Sequence, residues 1–423
     1  MNTMSYDPTV ARQFAVDVVR KLRDAGYESL WAGGCVRDQL LGRQPKDYDV
    51  ATTARPEQVR DVFGHRKTLA IGASFGVITV IGPKNVGQLD VATFRRDAGY
   101  SDGRHPDSVE FSHPQEDAQR RDFTINGLFF DPLAEQVIDY VGGQDDLRAG
   151  VIRAIGIARD RITEDKLRML RAVRFAATFG FQIDEQTLAA IRDQATELVI
   201  VSAERIAAEL KKMLTLERRR LAVELLKQSD LLEVILPEYR GLHTNAWNQT
   251  LAILERLPAP SFPHAFAAVL RPLAETAERL AEVVDVVCRR LKLATEELVQ
   301  VQRFLRDEPL LRRSSALTWP ELQRLITLPG IEQVLDFSAA VSQQFDADSR
   351  ELDLCNRMLE LPAELLNPPH LISGEDLKLL GLTPGPNFKI ILDRVRTAQL
   401  ESLINTTEEA LNLAKKIADE LQW

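Results

Sequence analysis

The spacing of apolar residues changes once along this chain, near Thr163, and that change restricts the folds open to it. Before about residue 150, short β-rich runs such as GVITVIG (76–82) and QLDVATF (88–94) alternate with turns and a few helices. After Thr163, in EDKLRMLRAVRFAATFGF and SAERIAAELKKMLTLERRRLAVELLKQ, apolar residues recur three and four apart, the period of a helix with one buried face. The expected class is α+β, with a mixed-sheet head at 1–150, a helical neck at 151–227, a helical body at 228–360 and a helical tail at 361–423. Proline lacks a backbone donor and breaks helices. Pro258, Pro260 and Pro263, then Pro362, Pro368 and Pro369, therefore divide the helical part into subunits rather than one rod.

A chain of 423 residues exceeds what one compact core organises, and 45% hydrophobic with 27% charged residues is the balance of a folded globular protein. Cys35, Cys288 and Cys355 have neither CxxC spacing nor histidine partners, which points to buried thiols rather than a disulfide framework or a zinc site. The first residues, MNTMSYDPTVARQF, carry no apolar run behind a basic segment. Nothing later reaches the roughly 18 uncharged apolar residues of a membrane span. No membrane partner is expected, and the cytoplasm is the expected location. A net charge of −9 excludes non-specific coating of nucleic acid but not a local basic track. Arginines crowd RRDFTIN, the set Arg168, Arg171 and Arg174, and the run from Arg218 to Arg220. An oligomeric state is not legible in the sequence.

LWAGGCVRDQLLG (30–42) reads as a strand, a two-glycine turn at Gly33 and Gly34, and a short helix starting near Cys35. Glycines there let backbone N–H groups approach phosphate oxygens, and a helix N-terminus favours negative charge, although two adjacent glycines are more often just a tight turn. In KDYDVAT, Asp47 and Asp49 sit two residues apart on an expected strand, so both carboxylates face one side. Such a pair is either solvated or bridged by a cation, because like charges that close repel. Mg²⁺ suits them, since it takes oxygen ligands through one or two carboxylates plus substrate phosphates.

Four motifs in order, GGCVRD, KDYDVAT, RRDFTIN (120–126) and EDKLRMLRAVRFAA (164–177), resemble the bacterial class II tRNA nucleotidyltransferase and poly(A) polymerase family of the polymerase-β nucleotidyltransferase superfamily. LISGEDLKLLGLTPGPNF (371–388) is similar to a C-terminal element of many bacterial CCA-adding enzymes. The resemblance implies a polymerase-β-like head with Asp47 and Asp49 as metal ligands, and Gly33, Gly34 and Arg37 as triphosphate contacts, with Asp38 orienting Arg37. Asp90 stands where the family often has a glutamate as third carboxylate, and the shorter reach leaves an exposed strand aspartate as an equal reading.

The same resemblance implies that Arg120, Arg121, Asp122 and Asn126 contact ribose and triphosphate; the plain alternative is an amphipathic helix start with surface arginines. Asp165 and Arg168, three apart on one expected helical face, correspond to the pair that serves as an amino-acid template for CTP and ATP; otherwise they form a surface ion pair. A site that hydrogen-bonds its ligand can reject analogues by about 10⁴ to 10⁵. Arg171 and Arg174 continue that ridge towards triphosphate or RNA backbone.

The implied reaction is in-line attack of an RNA 3′-hydroxyl, on tRNA or another RNA, at the α-phosphorus, assisted by Mg²⁺ ions roughly 3.5 to 4 Å apart. The polar stretch RRDAGYSDGRHPDSVEF (95–111) resembles a flexible loop that CC-only members lack, so CCA or terminal-A addition is expected ahead of poly(A) synthesis. A non-catalytic RNA-binding protein with a nucleotidyltransferase-like head is the rival from another class. FPHAFAAVLRPLAE (262–275) lacks the His-Asp pair of a phosphohydrolase domain.

Overall fold

The computed structural model describes residues 7–98, 108–273, 276–344 and 349–421. By internal contacts it divides into two compact units. The first runs to Leu242 and includes Arg289–Lys292; the second holds His243–Cys288 and the chain from Leu293 onward.

The first unit opens with α1 (Pro8–Asp24), β1 (Ser29–Ala32), α2 (Gly34–Leu40), β2 (Val50–Thr52), α3 (Pro56–Phe63), β3 (Thr68–Leu69), β4 (Val77–Ile81) and β5 (Gln88–Thr93). A two-stranded ribbon, β6 (Arg95–Ala98) and β7 (Ser108–Phe111), leads to α4 (Pro114–Gln119), β8 (Leu128–Asp131), β9 (Gln136–Asp139), α5 (Gly143–Ala149) and β10 (Val151–Ile152). The expected loop at 95–111 is thus flanked by paired strands, and its centre, 99–107, lies outside the described residues.

Seven strands form one sheet in the order β3-β4-β5-β2-β1-β8-β9. Only β2 and β5 run parallel, because α3 and the β3-β4 hairpin carry the chain between them; the other pairings are antiparallel. Every residue of β1 is buried, so its alternating side chains serve two cores. Trp31 joins Val50, Ile78, Val91 and the α1 residues Ala15, Val19 and Leu22 on one face. Leu30 and Ala32 join Phe94, Ala118 and Phe129 on the other. The sheet is thereby packed on both faces, with the β1-α2 turn at the end of β1.

Helices follow: α6 (Ala158–Glu164), α7 (Leu167–Phe179), α8 (Glu185–Gln194), α9 (Ala203–Leu214), α10 (Arg219–Gln228) and α11 (Leu232–Ile235), with one short strand, β11 (Gln182–Ile183), beside β10. Two expected helical runs are divided. The first starts only at Leu167, and the second breaks between Leu214 and Arg219.

The second unit is helical throughout its described residues: α12 (Thr244–Arg256), α13 (Phe262–Leu270), α14 (Ala277–Arg290), α15 (Thr295–Leu311), α16 (Trp319–Ile326), α17 (Ile331–Gln344), α18 (Arg350–Leu359), α19 (Ala363–Leu366), α20 (Gly374–Leu379), α21 (Pro386–Leu400) and α22 (Thr407–Glu420). The proline clusters fall at breaks, with Pro263 in the first turn of α13 and Pro362 capping α19. All nine residues of α13 are buried, which makes it a core helix rather than an amphipathic one. The last three helices share their own core, built on Ile372, Leu377, Ile391 and Ala414. No helix among the described residues is long and apolar enough to cross a membrane.

Candidate active site

At the end of β1 the chain turns into α2 through Gly33, whose φ of +70° an L side chain rarely adopts. A β-carbon there would also come 2.7 Å from Arg121 Nη1, whereas at Gly34 it would meet only Arg37 Nη2 at 3.7 Å. From α2, Arg37 donates through Nε to Asp38 Oδ1 at 2.8 Å and through Nη1 to Asn126 Oδ1 at 2.6 Å. Asn126 in turn donates to Asp122 Oδ1 at 2.9 Å. Asp122 Oδ2 accepts from Arg171 of α7, with Nη2 at 2.6 Å. Desolvation would push the Asp122 pKa up, but Arg171 and the hydrogen bonds from Asn126 and Arg171 pull it down to about 2.

These groups border one cleft of about 520 Å³, lined by Gly33, Gly34, Arg37, Arg95, Arg120, Arg121, Asp122, Asn126, Asp165, Arg168, Arg171, Arg174 and Phe175. Seven arginines face two aspartates there, in a chain whose net charge is −9. A polyanion fits that local excess, and arginine forks match phosphate oxygens in geometry as well as sign.

Each arginine is held before any ligand arrives. Asp117, on α4 and 1% exposed, accepts from Arg120 and Arg121, and Arg121 Nη1 also donates to the Asn126 carbonyl at 3.3 Å. Arg168 Nη1 donates to Glu164 Oε2 at 2.6 Å and to the Arg161 carbonyl at 2.7 Å. Arg174 donates to the buried Glu209 of α9 at 2.5 Å and lies 4.1 Å from the Phe175 ring. Phe175 stacks on Phe179, and Arg37 spans both rings at 5.3 and 4.7 Å. Arg95, Asp117, Glu164, Glu209, Phe175 and Phe179 were absent from the sequence-based candidates. Asp117 stands three and four residues before Arg120 and Arg121, and Glu164 four before Arg168, so helical spacing carried a signal for those two.

Asp165 departs from expectation. It caps the end of α6 with extended φ and ψ of −146° and 106°, one residue before Lys166 and two before α7 begins, so it does not share a helical face with Arg168. Its Oδ1 accepts from the Leu167 N–H at 3.1 Å, and both oxygens face Arg205 of α9 at 3.1 and 3.3 Å. A helix break therefore aims Asp165 and Arg168 into the same cleft from different backbone settings.

The aspartates expected to hold metal lie outside that lining. Asp47 and Asp49 precede β2, which starts at Val50, rather than sitting within a strand. The alternation still holds, with both exposed on either side of buried Tyr48, and the Asp49 carbonyl accepts from the Ala32 N–H at 3.0 Å. Val50 pairs with Val91, so carrying the register back one residue sets Asp49 beside Asp90. Crowding by protein raises the Asp49 pKa, Arg121 opposes that rise, and the Asp90 and Asp47 charges reinforce it. Asp90 itself accepts from Thr79 Oγ1 at 2.6 Å, and among the described residues no three carboxylates, imidazoles or thiols converge as a metal site. Hard carboxylate oxygens that repel one another suit a divalent cation completed by substrate phosphates. Beneath them, burial pushes the Cys35 thiol up to about 12, which makes it an inert core group.

Residues 30–153 match the Poly A polymerase head domain family, and 180–242 match the probable RNA and SrmB-binding site of polymerase A. A CCA-adding enzyme of Lactiplantibacillus plantarum is 32% identical over 416 residues, covering 96% of this chain and 97% of the relative. The chain belongs to the CCA-adding enzyme family. Within that family, the Bacillus stearothermophilus enzyme, solved in complex with CTP, is 28% identical, with a TM-score of 0.77 over 97% of this chain and 99% of its own. The Thermotoga maritima CCA-adding enzyme, solved with tRNA, is 20% identical with a TM-score of 0.63 over 97% and 95%, a likeness of fold.

Proposed function

We propose that this member of the CCA-adding family transfers CMP and AMP from CTP and ATP to the 3′ end of tRNA without a nucleic-acid template, releasing pyrophosphate. The observation that carries the reading is the cleft in which six further guanidinium groups stand beside Asp165 and Arg168. Arginines suit a triphosphate, and an acceptor next to a donor fork suits the hydrogen-bonding edge of a base. The names of the relatives, and the CTP held by the Bacillus stearothermophilus enzyme, support the same substrates.

In this reading Arg37, Arg120, Arg121, Arg171 and Arg174 bind and orient the triphosphate, with Gly33 and Gly34 leaving room for it. Asp122 and Asn126 keep Arg171 and Arg37 in place and border the ribose. Asp165 and Arg168 select the base. Asp47 and Asp49 would hold Mg²⁺, which supplies positive charge for the reacting phosphate and for the attacking 3′-hydroxyl. Positioning and charge stabilisation then carry the transfer, with no protein nucleophile. The division into head, neck, body and tail and a cytoplasmic location belong to this proposal.

Incubation with Mg²⁺, labelled CTP and ATP, and tRNA lacking all or part of its terminal CCA tests it. The expected products end in CCA; no incorporation under any condition would sink the enzymatic reading in favour of a binding protein. Long adenylate tracts on unstructured RNA would instead identify a poly(A) polymerase, the other activity served by this head family.

A further inference from the structure

Asp117 divides one carboxylate between two arginines. Oδ1 accepts from Arg120, with Nη2 at 2.7 Å, and Oδ2 accepts from Arg121, with Nη2 at 3.0 Å. Oδ1 also faces the Arg95 N–H at 3.3 Å, while Arg120 Nε donates to the Arg95 carbonyl at 3.1 Å. The backbone at the root of the β6-β7 ribbon is therefore gripped on both sides by the same pair. Asp117 borders no part of the cleft, yet the two arginines it grips line it. Burial acts to raise its pKa, but the two guanidinium groups hold it below the ordinary carboxylate range, so it is charged at neutral pH.

An arginine side chain without a partner samples many rotamers, and ordering it on binding costs affinity. Two neighbouring guanidinium groups also repel each other. A buried carboxylate shared between them removes both costs ahead of ligand binding, while leaving their remaining N–H groups for phosphate oxygens.

We propose that Asp117 is a positioning residue that sets Arg120 and Arg121 for the triphosphate common to CTP and ATP, an inference that rests on the nucleotide reading of the cleft. Because the triphosphate is shared, its loss acts equally on both nucleotides and leaves base choice alone. Asp117→Asn keeps the volume but removes the charge and turns one acceptor into a donor facing a guanidinium. The expected result is a KM raised about ten- to hundredfold for CTP and ATP alike, with kcat changed far less and the CTP-to-ATP preference unchanged.

Binding of inorganic triphosphate by calorimetry, measured beside turnover, separates this inference from the proposed activity. If the unaltered protein binds triphosphate but adds no nucleotide, only the activity fails, and the weaker binding expected of Asp117→Asn still tests Asp117. Asp117→Glu, which retains the charge, serves if the asparagine variant does not fold, and its KM is expected between the two. Combining Asp117→Asn with Arg121→Lys should give less than the sum of the two losses, because the share of the Asp117 effect that passes through Arg121 is already lost in the lysine variant. Asp184→Asn, at a carboxylate that caps α8 and borders no part of the cleft, should lower stability without moving KM. Wild-type triphosphate binding in folded Asp117→Asn, or full additivity with Arg121→Lys, would overturn the proposal.

Discussion

Arg171 of α7 holds the buried carboxylate of Asp122 at 2.6 Å, across 49 residues of sequence. That ion pair ties α7 to the segment between α4 and β8 that lines the cleft, and it has a titration signature. The Asp122 pKa falls from 3.8 to about 2 on folding. A depressed carboxylate pKa stabilises the fold above its unfolded value, and the contribution is lost as pH falls through the folded value. Between about pH 4 and pH 2 the unaltered protein should lose about 2 kcal/mol that Asp122→Asn does not lose. Urea melts across that range check it, and parallel curves for the two proteins would contradict the pairing.

Gly33→Ala should be costly twice over. A φ of +70° with ψ of −119° is a sparsely populated conformation that costs an alanine roughly 1–3 kcal/mol, and its β-carbon displaces the Arg121 guanidinium. A lower Tm together with weaker nucleotide binding is expected. Gly34→Ala, with 3.7 Å of room and an ordinary φ, should leave Tm nearly unchanged. Equal losses in the two variants would show that the turn geometry is not what matters.

Asp47→Asn and Asp49→Asn should each lower Mg²⁺-dependent nucleotide addition by about 10³ while sparing CTP binding, since a catalytic metal contributes several kcal/mol. Asp90→Asn should cost less, because Asp90 is engaged with Thr79. Single-turnover rates rank the three, and a larger loss at Asp90 than at Asp49 would reverse the assignment.

Asp165→Ala should relax base choice, with UTP or GTP entering more often by about ten- to hundredfold, the worth of one hydrogen bond to a charged group. Arg205→Ala, which frees the Asp165 carboxylate, should shift selectivity in the same direction by less. Misincorporation frequencies measured with all four nucleotides decide, and unchanged selectivity in both variants would remove Asp165 from base reading.

Affinity for tRNA should fall as salt rises, with a slope set by a modest number of phosphate contacts, since the basic surface is local in a chain of net charge −9. Filter binding over a range of salt measures the slope; an affinity indifferent to salt would argue against phosphate contacts.

The α+β order, the two-glycine turn and six of the seven arginines that line the cleft, all but Arg95, were readable from the sequence, because periodicity and motif spacing report local geometry. The partners of those arginines were less so. Asp117 and Glu164 lie within four residues of the arginines they hold and left a trace in the spacing, but Glu209 meets Arg174 from 35 residues away and Arg205 meets Asp165 from 40. Pairs that distant are decided by how α7 and α9 pack, which no local pattern encodes. The same packing allows the chain to break between α6 and α7, taking Asp165 off the helical face that its spacing from Arg168 suggested. The residues of the site were thus written in the sequence, while their aim was decided by burial and by charges brought together in the folded chain.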